Sequence, residues 1–92
     1  MNKLYVIDGP HRGTTFALND GTTTVGRSHD NDICLSEIGV SRHHAKLLKK
    51  QGKIFILDVS SFQGVFIDGQ KIEPGVEVEI RKGNRFLVGN SS

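Results

Sequence analysis

The sequence predicts an all-β protein, and three observations lead to this prediction. Eleven glycines and two prolines are spread along the chain and divide it into segments of about four to seven residues, the usual length of strands. The segment from Val76 to Arg81 alternates strictly between apolar and charged residues, which is the period of a half-buried strand. No segment shows the 3.6-residue apolar period of a helix. The economical architecture is therefore a two-sheet β-sandwich of about ten to eleven short strands.

The first half of the chain contains five predicted strands. Each is rich in apolar or β-branched residues, and polar or glycine-containing loops separate them. These strands are expected at residues 4–7, 14–18, 22–25, 33–35 and 44–49.

The second half contains five more predicted strands, at residues 53–58 and 64–68, from Lys71, and at 76–81 and 85–88. The continuous apolar run from Ile54 to Leu57 is typical of a central strand that is buried on both faces or nearly so. Asp68 and Gly69 predict a tight hairpin, because both residue types tolerate a positive φ.

Length and cysteine content limit the class of protein. The chain has 92 residues and a mass of 10.1 kDa, enough for one domain that buries roughly 60–65% of its unfolded surface. The single Cys34 excludes an internal disulfide and fits a reducing compartment. No apolar run approaches the roughly 20 residues of a membrane span. A cytoplasmic protein with no membrane contact is expected.

The charge of the chain does not favour nucleic acid as a ligand. Twelve Lys and Arg against ten Asp and Glu give a net charge of +2, which is too small for binding a phosphate backbone by bulk charge. Lysines do cluster around the predicted turn at Gln51 and Gly52, but no aromatic residue is interleaved with them to stack on bases. We interpret this cluster as a solvated hairpin that protects a sheet edge; it consists of Lys46, Lys49, Lys50 and Lys53.

Three loops carry the residues that suggest a function. They lie at residues 26–31, 41–45 and 58–64, and because each connects strands, they are expected to meet at one end of the sandwich. Arg27 and Arg42 offer planar forks of N–H donors that stay charged, which suits the oxygens of a phosphate group. Ser41 adds a short hydroxyl donor.

These loops resemble the forkhead-associated (FHA) domain family, whose hallmark is Gly-Arg, then Ser-Arg-x-His-Ala, then a small polar loop before a Gly. This chain reads Gly26-Arg27-Ser28, then Ser41-Arg42-His43-His44-Ala45. The resemblance spans roughly Tyr5 to Gly89 and includes residues 66–69 and 83–89. It implies an eleven-stranded β-sandwich whose loops bind phosphothreonine in a partner peptide. It also implies that the protein is not an enzyme and uses no cofactor.

The resemblance also assigns roles to individual residues. It implies that Arg27 and Ser41 hold the phosphate most directly, that Arg42 assists, and that His44 braces the recognition loop by hydrogen bonds. Structural support of the site is expected from Gly26, Asn31, His44 and Gly64. A triad of Ser41, His44 and Asp58 lacks any oxyanion-hole signature. A metal site is not expected either, since no metal-ligand spacing connects Cys34, His29, His43 and His44.

The chain departs from the family pattern in one recognition loop. The family usually has Ser-Thr-Asn-Gly-Thr where this chain has Ser61-Phe62-Gln63-Gly64-Val65. The Asn of that motif normally hydrogen-bonds the peptide backbone, and Gln63 places the same carboxamide one methylene further out. Phe62 replaces a small Thr and would alter the selectivity for residues that flank the phosphate. Both residues are therefore expected to contact the peptide.

The other departure lies at the end of the chain. We expect one FHA-like domain over residues 1–92, with a core from 4 to 89. The family usually adds a final strand after the position of Gly89, whereas this chain ends three residues later. An open sheet edge would favour dimerisation or contact with a missing segment.

Two functions are compatible with these residues. The leading hypothesis is a phosphothreonine-dependent peptide-binding adaptor that recruits or regulates a substrate of a Ser/Thr-kinase pathway. The alternative is a scaffold domain of the same fold, of the kind found in bacterial secretion machinery, that assembles proteins without phosphate. Retention of Arg27 together with Ser41 favours the first, because a scaffold does not need two phosphate donors at these positions.

Overall fold

Ten β-strands form the regular structure of the part of the chain that the computed structural model describes, which is residues 2–5, 12–37, 39–59, 61–81 and 83–88. The strands are β1 Asn2–Tyr5, β2 Thr15–Leu18, β3 Gly21–Gly26, β4 Ile33–Cys34, β5 Ala45–Lys50, β6 Lys53–Asp58, β7 Val65–Ile67, β8 Gln70–Lys71, β9 Val78–Ile80 and β10 Phe86–Val88. These residues include no helix, so none of them forms a helical span long enough to cross a bilayer.

The strands pair into one large and two small sheets. The large sheet has the order β4-β3-β5-β6-β9, and all of its pairs are antiparallel except β3 with β4. The small sheets have the orders β10-β7-β8 and β1-β2, both antiparallel.

A shared core joins the large sheet to the small ones. Alternate residues of β3, β5 and β6 point inward, so these three strands contribute five buried side chains: Val25, Ala45, Leu47, Ile54 and Ile56. The small sheets contribute Leu18, Val65 and Val88, and Ile33 and Val40 complete the cluster. Burial of each Val, Leu or Ile stabilises the fold by about 1.5–3 kcal/mol. The predicted all-β sandwich is confirmed.

Most predicted strands are present with ends that differ by one or two residues, while residues 6 and 7 of the predicted strand 4–7 lie outside the described residues. The hairpin at Asp68 and Gly69 is confirmed, since their φ angles are 47° and 86°. The Asp68 carboxylate also accepts hydrogen bonds from the Arg85 N–H at 3.0 Å and the Asn84 side chain at 2.8 Å, which ties this hairpin to the start of β10. The final strand that the family usually adds would follow Gly89, and this chain is expected to lack it; residues 89–92 lie outside the described residues, so the open edge and a dimer through it stay predictions.

Two predictions about burial were wrong in part. Val76 alternates with its neighbours in sequence, but it precedes β9 and is 50% exposed, because the turn after Pro74 delays the start of pairing. The apolar run of β6 was expected to form a central strand that is buried on both faces or nearly so, and β6 does lie inside the large sheet between β5 and β9. Ile54 and Ile56 are buried in the core, whereas Phe55 and Leu57 lie on the opposite face and are only half-buried.

The order of the strands brings the three predicted loops together. Val25 at the end of β3, Ala45 at the start of β5 and Asp58 at the end of β6 lie side by side in one row of the large sheet. The segments that follow or precede this row therefore leave the sandwich at the same end. These are residues 27–32, 39–44, 59 and 61–64.

Candidate functional site

Main-chain hydrogen bonds join the first two loops beyond the ends of β3 and β5. The Arg27 N–H donates to the Ser41 carbonyl at 2.9 Å, and the Ser28 N–H donates to the Arg42 carbonyl at 3.2 Å. Asn31, which is buried, donates through Nδ2 to the carbonyls of Ser28 and Arg42 at 2.8 and 2.7 Å. One carboxamide thus holds both loops at a fixed separation.

Gly26 is required by this close approach. A Cβ at Gly26 would collide with the Arg42 carbonyl and would lie 2.8 Å from Nδ2 of Asn31. Backbone atoms cannot move aside as a flexible side chain can, so the glycine is needed for lack of space.

We expect Gly26→Ala to destabilise the domain by about 1–3 kcal/mol, the usual cost of overpacking, and to disturb both loops. Gly52→Ala is the control, because its Cβ would meet nothing within 4 Å and only its positive φ of 75° opposes the change. Thermal melting and ¹⁵N–¹H spectra measure both variants. Equal melting temperatures for the two would contradict the steric role of Gly26.

The Arg27 side chain is fixed at its base and free at its tip. Its Nε donates to the Val40 carbonyl at 3.0 Å, and Val40 itself is 1% exposed in the core. The residue as a whole is exposed, and its two terminal nitrogens have no hydrogen-bond partner among the described residues. A guanidinium anchored in this way presents its fork of donors to an incoming anion with little loss of rotamer freedom.

The Ser41 hydroxyl links the second loop to the third. Its Oγ accepts a hydrogen bond from the Phe62 N–H at 3.0 Å. Because this bond uses a lone pair of the oxygen, the hydroxyl proton remains available to donate to another group. Ser41 therefore stands beside Arg27 as a second donor.

His44 lies beneath these loops with no exposed surface. Its Nδ1 accepts from the Ser41 N–H at 3.0 Å, so the ring proton is on Nε2, which donates to the Gly64 carbonyl at 2.7 Å. Both ring nitrogens are thus bonded to main-chain groups. His44 has no nitrogen left to act as a base for the Ser41 hydroxyl.

The third loop is shaped by its own side chains. Asp58 is fully buried and accepts from the Ser61 N–H through Oδ1 at 2.8 Å, while its Oδ2 has no partner in the described part of the chain. Ser61 Oγ in turn accepts from the Gly64 N–H at 3.0 Å. Two successive turns of this kind direct the Phe62 N–H towards Ser41.

Arg42, Phe62 and Gln63, the remaining residues predicted to contact the peptide, lie on the same three loops. Phe62 is 89% exposed, Arg42 is exposed and Gln63 is half-buried. The side chains of Arg42 and Gln63 make no hydrogen bond or ion pair within the residues that the structure describes. The stem of Lys71 on β8 packs against Gly64, so a further cation stands next to the third loop.

One acidic group on the first loop has a lowered pKa. The hydrogen bond from the Ser28 hydroxyl holds the pKa of Asp30 below its usual range, and His43, whose Nε2 is 3.7 Å from the carboxylate, adds a smaller effect in the same direction. Asp30 therefore keeps its negative charge near neutral pH and is associated with His43 on the surface of the first loop.

Sequence reasoning missed the roles of four residues that shape the site: Val40, Asp58, Ser61 and Lys71. The spacing of Asp58, Ser61 and Gly64 is a readable signal, since Asp and Ser side chains often bond an N–H a few residues further on. The Val40 carbonyl carries no signal, because every residue has one. Lys71 reaches Gly64 only through the pairing of β7 with β8.

Comparisons with known proteins agree with this geometry. The family described as the inner membrane component of T3SS, cytoplasmic domain, matches residues 5–92. Glycogen accumulation regulator GarA of Mycolicibacterium smegmatis is 36% identical over 95 residues, which cover 97% of this chain and 60% of GarA. The chain spans less than two thirds of the length of the first curated relatives that it matches.

Solved structures match as well. The FHA domain of the CT664 protein from Chlamydia trachomatis is 30% identical, with a TM-score of 0.84 over 95% of this chain and 87% of that chain. Mycobacterium tuberculosis EmbR in complex with a low-affinity phosphopeptide is 32% identical, with a TM-score of 0.78 over 86% of this chain and 20% of that chain.

Proposed function

Because the chain belongs to the forkhead-associated (FHA) family, we propose that it binds a phosphothreonine-containing segment of a partner protein. In this role it recruits or regulates a substrate of a Ser/Thr-kinase pathway. The observation that carries the proposal is that two hydrogen-bond donors are held in place on joined loops. The Arg27 guanidinium is fixed by its bond to the Val40 carbonyl, and the Ser41 hydroxyl accepts from the Phe62 N–H and keeps its own proton available.

The chemistry of a phosphothreonine fits this pair of donors. Its phosphate carries about −1.5 to −2 charges near pH 7 and three acceptor oxygens. Arg27 supplies a permanent charge and two parallel donors, and Ser41 supplies a short O–H donor. A receptor of this kind needs little apolar area, because its selectivity rests on charge and directed hydrogen bonds.

Arg42, Phe62 and Gln63 are proposed to contact the peptide around the phosphate. Arg42 is exposed at the rim and adds charge. The Gln63 carboxamide is free to bond a peptide backbone group, and the exposed Phe62 ring offers an apolar contact beside Ser41. Gly26, Asn31, His44 and Gly64 hold the loops in place, as their contacts suggest.

The phosphopeptide complex of EmbR supports this proposal, since that protein is 32% identical to this chain. We further propose a non-catalytic domain over residues 1–92 that works without a cofactor. The neutral His44, bonded on both nitrogens to main-chain groups, is consistent with a purely structural role. A cytoplasmic location is proposed because Cys34 is a free thiol, which is typical of proteins in a reducing compartment.

A second candidate function is an FHA-like scaffold that assembles proteins without phosphate. The match to the cytoplasmic domain of a secretion-system component favours it, as does the replacement of the usual Thr-Asn pair by Phe62 and Gln63. It does not account for an Arg27 side chain that is oriented by a hydrogen bond yet left open at its tip.

A fluorescence anisotropy titration separates the two candidates. The probes are three degenerate peptide libraries that contain phosphothreonine, unmodified threonine or phosphoserine at one fixed position. A phosphothreonine reader binds the first library, binds the third more weakly and does not bind the second. Absence of binding to all three at millimolar protein concentration would contradict the reader and favour the scaffold.

A further inference from the structure

The large sheet has a second face that the core does not use. On this outer face lie three apolar side chains: Leu48 of β5, and Phe55 and Leu57 of β6. Leu48 and Phe55 are directly opposite each other in the antiparallel pairing, and Leu57 is opposite Lys46 in a neighbouring row. All three are half-buried, and none belongs to the core cluster or packs against it.

This composition differs from that of a face that contacts only water. A strand with one solvated face normally alternates apolar and polar residues, and a continuous apolar run is typical of a strand that is covered on both sides. In β6 the core requires only Ile54 and Ile56. The apolar nature of Phe55 and Leu57 is explained if something else covers them.

Basic side chains flank these apolar residues, and one carboxylate, that of Glu79 on β9, lies opposite Phe55 on the same face, 3.7 Å from Arg81. Lys50 and Lys53 lie opposite each other at the end of the β5–β6 hairpin, and Lys46 lies beside Leu57. Lys50 is 2.8 Å from the Glu77 carboxylate and 5.0 Å from the centre of the Phe55 ring. Lys46 and Lys53 have no ion pair within the described residues. The sequence was interpreted as lacking an aromatic residue among these lysines, but cross-strand pairing places Phe55 there.

The charges decide what kind of partner fits this face. Two copies of the chain packed face to face would bring together two surfaces that each carry Lys46 and Lys53 without an ion pair among the described residues, and like charges at an interface cost several kcal/mol. A nucleic acid would use the lysines but not the aliphatic side chains of Leu48 and Leu57. A protein segment with an apolar centre and acidic flanks satisfies both features of the surface.

We propose that this outer face is a docking surface for an acidic amphipathic protein segment. The apolar residues of the partner segment cover Leu48, Phe55 and Leu57, and its carboxylates pair with three lysines of the face: Lys46, Lys50 and Lys53. The surface is distinct from the phosphopeptide site. Its first row, Lys46 with Leu57, is next to the row of Ala45 and Asp58 at the loop end of the sheet. Its last row, Lys50 with Lys53, is about 17 Å from the row of Ala45 and Asp58, at a rise of about 3.4 Å per residue.

The test uses designed peptides, since the natural partner is unidentified. The probe is a 15-residue synthetic helix with Leu and Phe on one face and Glu on both flanks. Two matched peptides replace the Glu residues by Lys or the apolar residues by Gln. Each is titrated into ¹⁵N-labelled protein to millimolar concentration, and chemical shifts are followed in residues 46–50 and 53–57.

The acidic amphipathic peptide is expected to shift these residues and to bind at least tenfold more tightly than either matched peptide. Phe55→Thr, which retains strand preference, should weaken binding about tenfold. Lys46→Glu should weaken it severalfold, whereas Arg85→Glu makes the same charge change outside this face and should have no effect. Melting temperatures establish that each variant is folded. If Phe55→Thr does not fold, the comparison of Lys46→Glu with Arg85→Glu still tests the proposal.

Several results would overturn the proposal. One is the absence of shifts in β5 and β6 at millimolar peptide. Another is equal binding of the peptide without apolar residues, or of a DNA duplex, which would mean recognition by charge alone. A third is a concentration-dependent dimer in sedimentation that Phe55→Thr dissociates, which would assign the face to a second copy.

Discussion

Replacing Arg27 by alanine is expected to lower the affinity for a phosphothreonine peptide about ten- to hundredfold. The reason is the loss of charge-assisted hydrogen bonds worth about 1.5–3 kcal/mol. The melting temperature should fall by only a few degrees, because the one internal bond that is lost is that of Nε to the Val40 carbonyl. Anisotropy titration and thermal melting measure the two effects separately.

Two further variants make the Arg27 result specific. Arg27→Lys keeps the charge but loses the planar fork, so its affinity should lie between those of the wild type and Arg27→Ala. Arg85→Ala removes an exposed arginine side chain at the other end of β7 from Gly64. The two hydrogen bonds of Arg85 to Asp68 involve its main-chain atoms and remain, so this variant should bind the peptide like the wild type. Unchanged affinity in Arg27→Ala would refute the phosphate-binding role of this residue.

Replacing His44 by alanine is expected to destabilise the domain by about 2–4 kcal/mol. The change opens a cavity at a fully buried position and leaves the Ser41 N–H and the Gly64 carbonyl without their partners. A loss of this size is a large share of the total stability of a small domain. It should lower the melting temperature by about 8 °C or more, at about 4–8 °C per kcal/mol.

The neighbouring histidine provides the control. His43 is exposed, and its ring is 3.7 Å from the Asp30 carboxylate, so His43→Ala should change the stability by no more than about 0.5 kcal/mol. Peptide affinity in His44→Ala should be measured well below its melting temperature. An unchanged melting temperature together with lost peptide binding would show that His44 contacts the ligand instead of bracing the loops.

The positions of most strands could be predicted because short-range rules govern them. Gly and Asp fix hairpins through their tolerance of positive φ, as at Asp68 and Gly69. Alternation fixes which face of a strand is buried, as in Val78 and Ile80 of β9, which pack against the core. The error at Val76 arose where alternation continued past the end of the actual pairing.

The residues of the candidate site could be named from their order in the chain, but their contacts could not. The free hydroxyl proton of Ser41 depends on the Phe62 N–H, which is 21 residues away in sequence. The orientation of Arg27 depends on a carbonyl 13 residues away. Main-chain groups are the same in every residue, so no sequence pattern reveals which of them will meet a given side chain.

The sequence by itself determined the all-β class, the ten short strands of the described residues, and the family to which the recognition loops belong. These features follow from local backbone preference and from the order of a few residue types. Only the tertiary structure decided that Gly26 is needed for lack of space, that His44 is bonded on both nitrogens, and that the apolar run of β6 faces the core on one side and lysines on the other. The reason is that burial and hydrogen bonding depend on strand order and register, which bring together residues far apart in the chain.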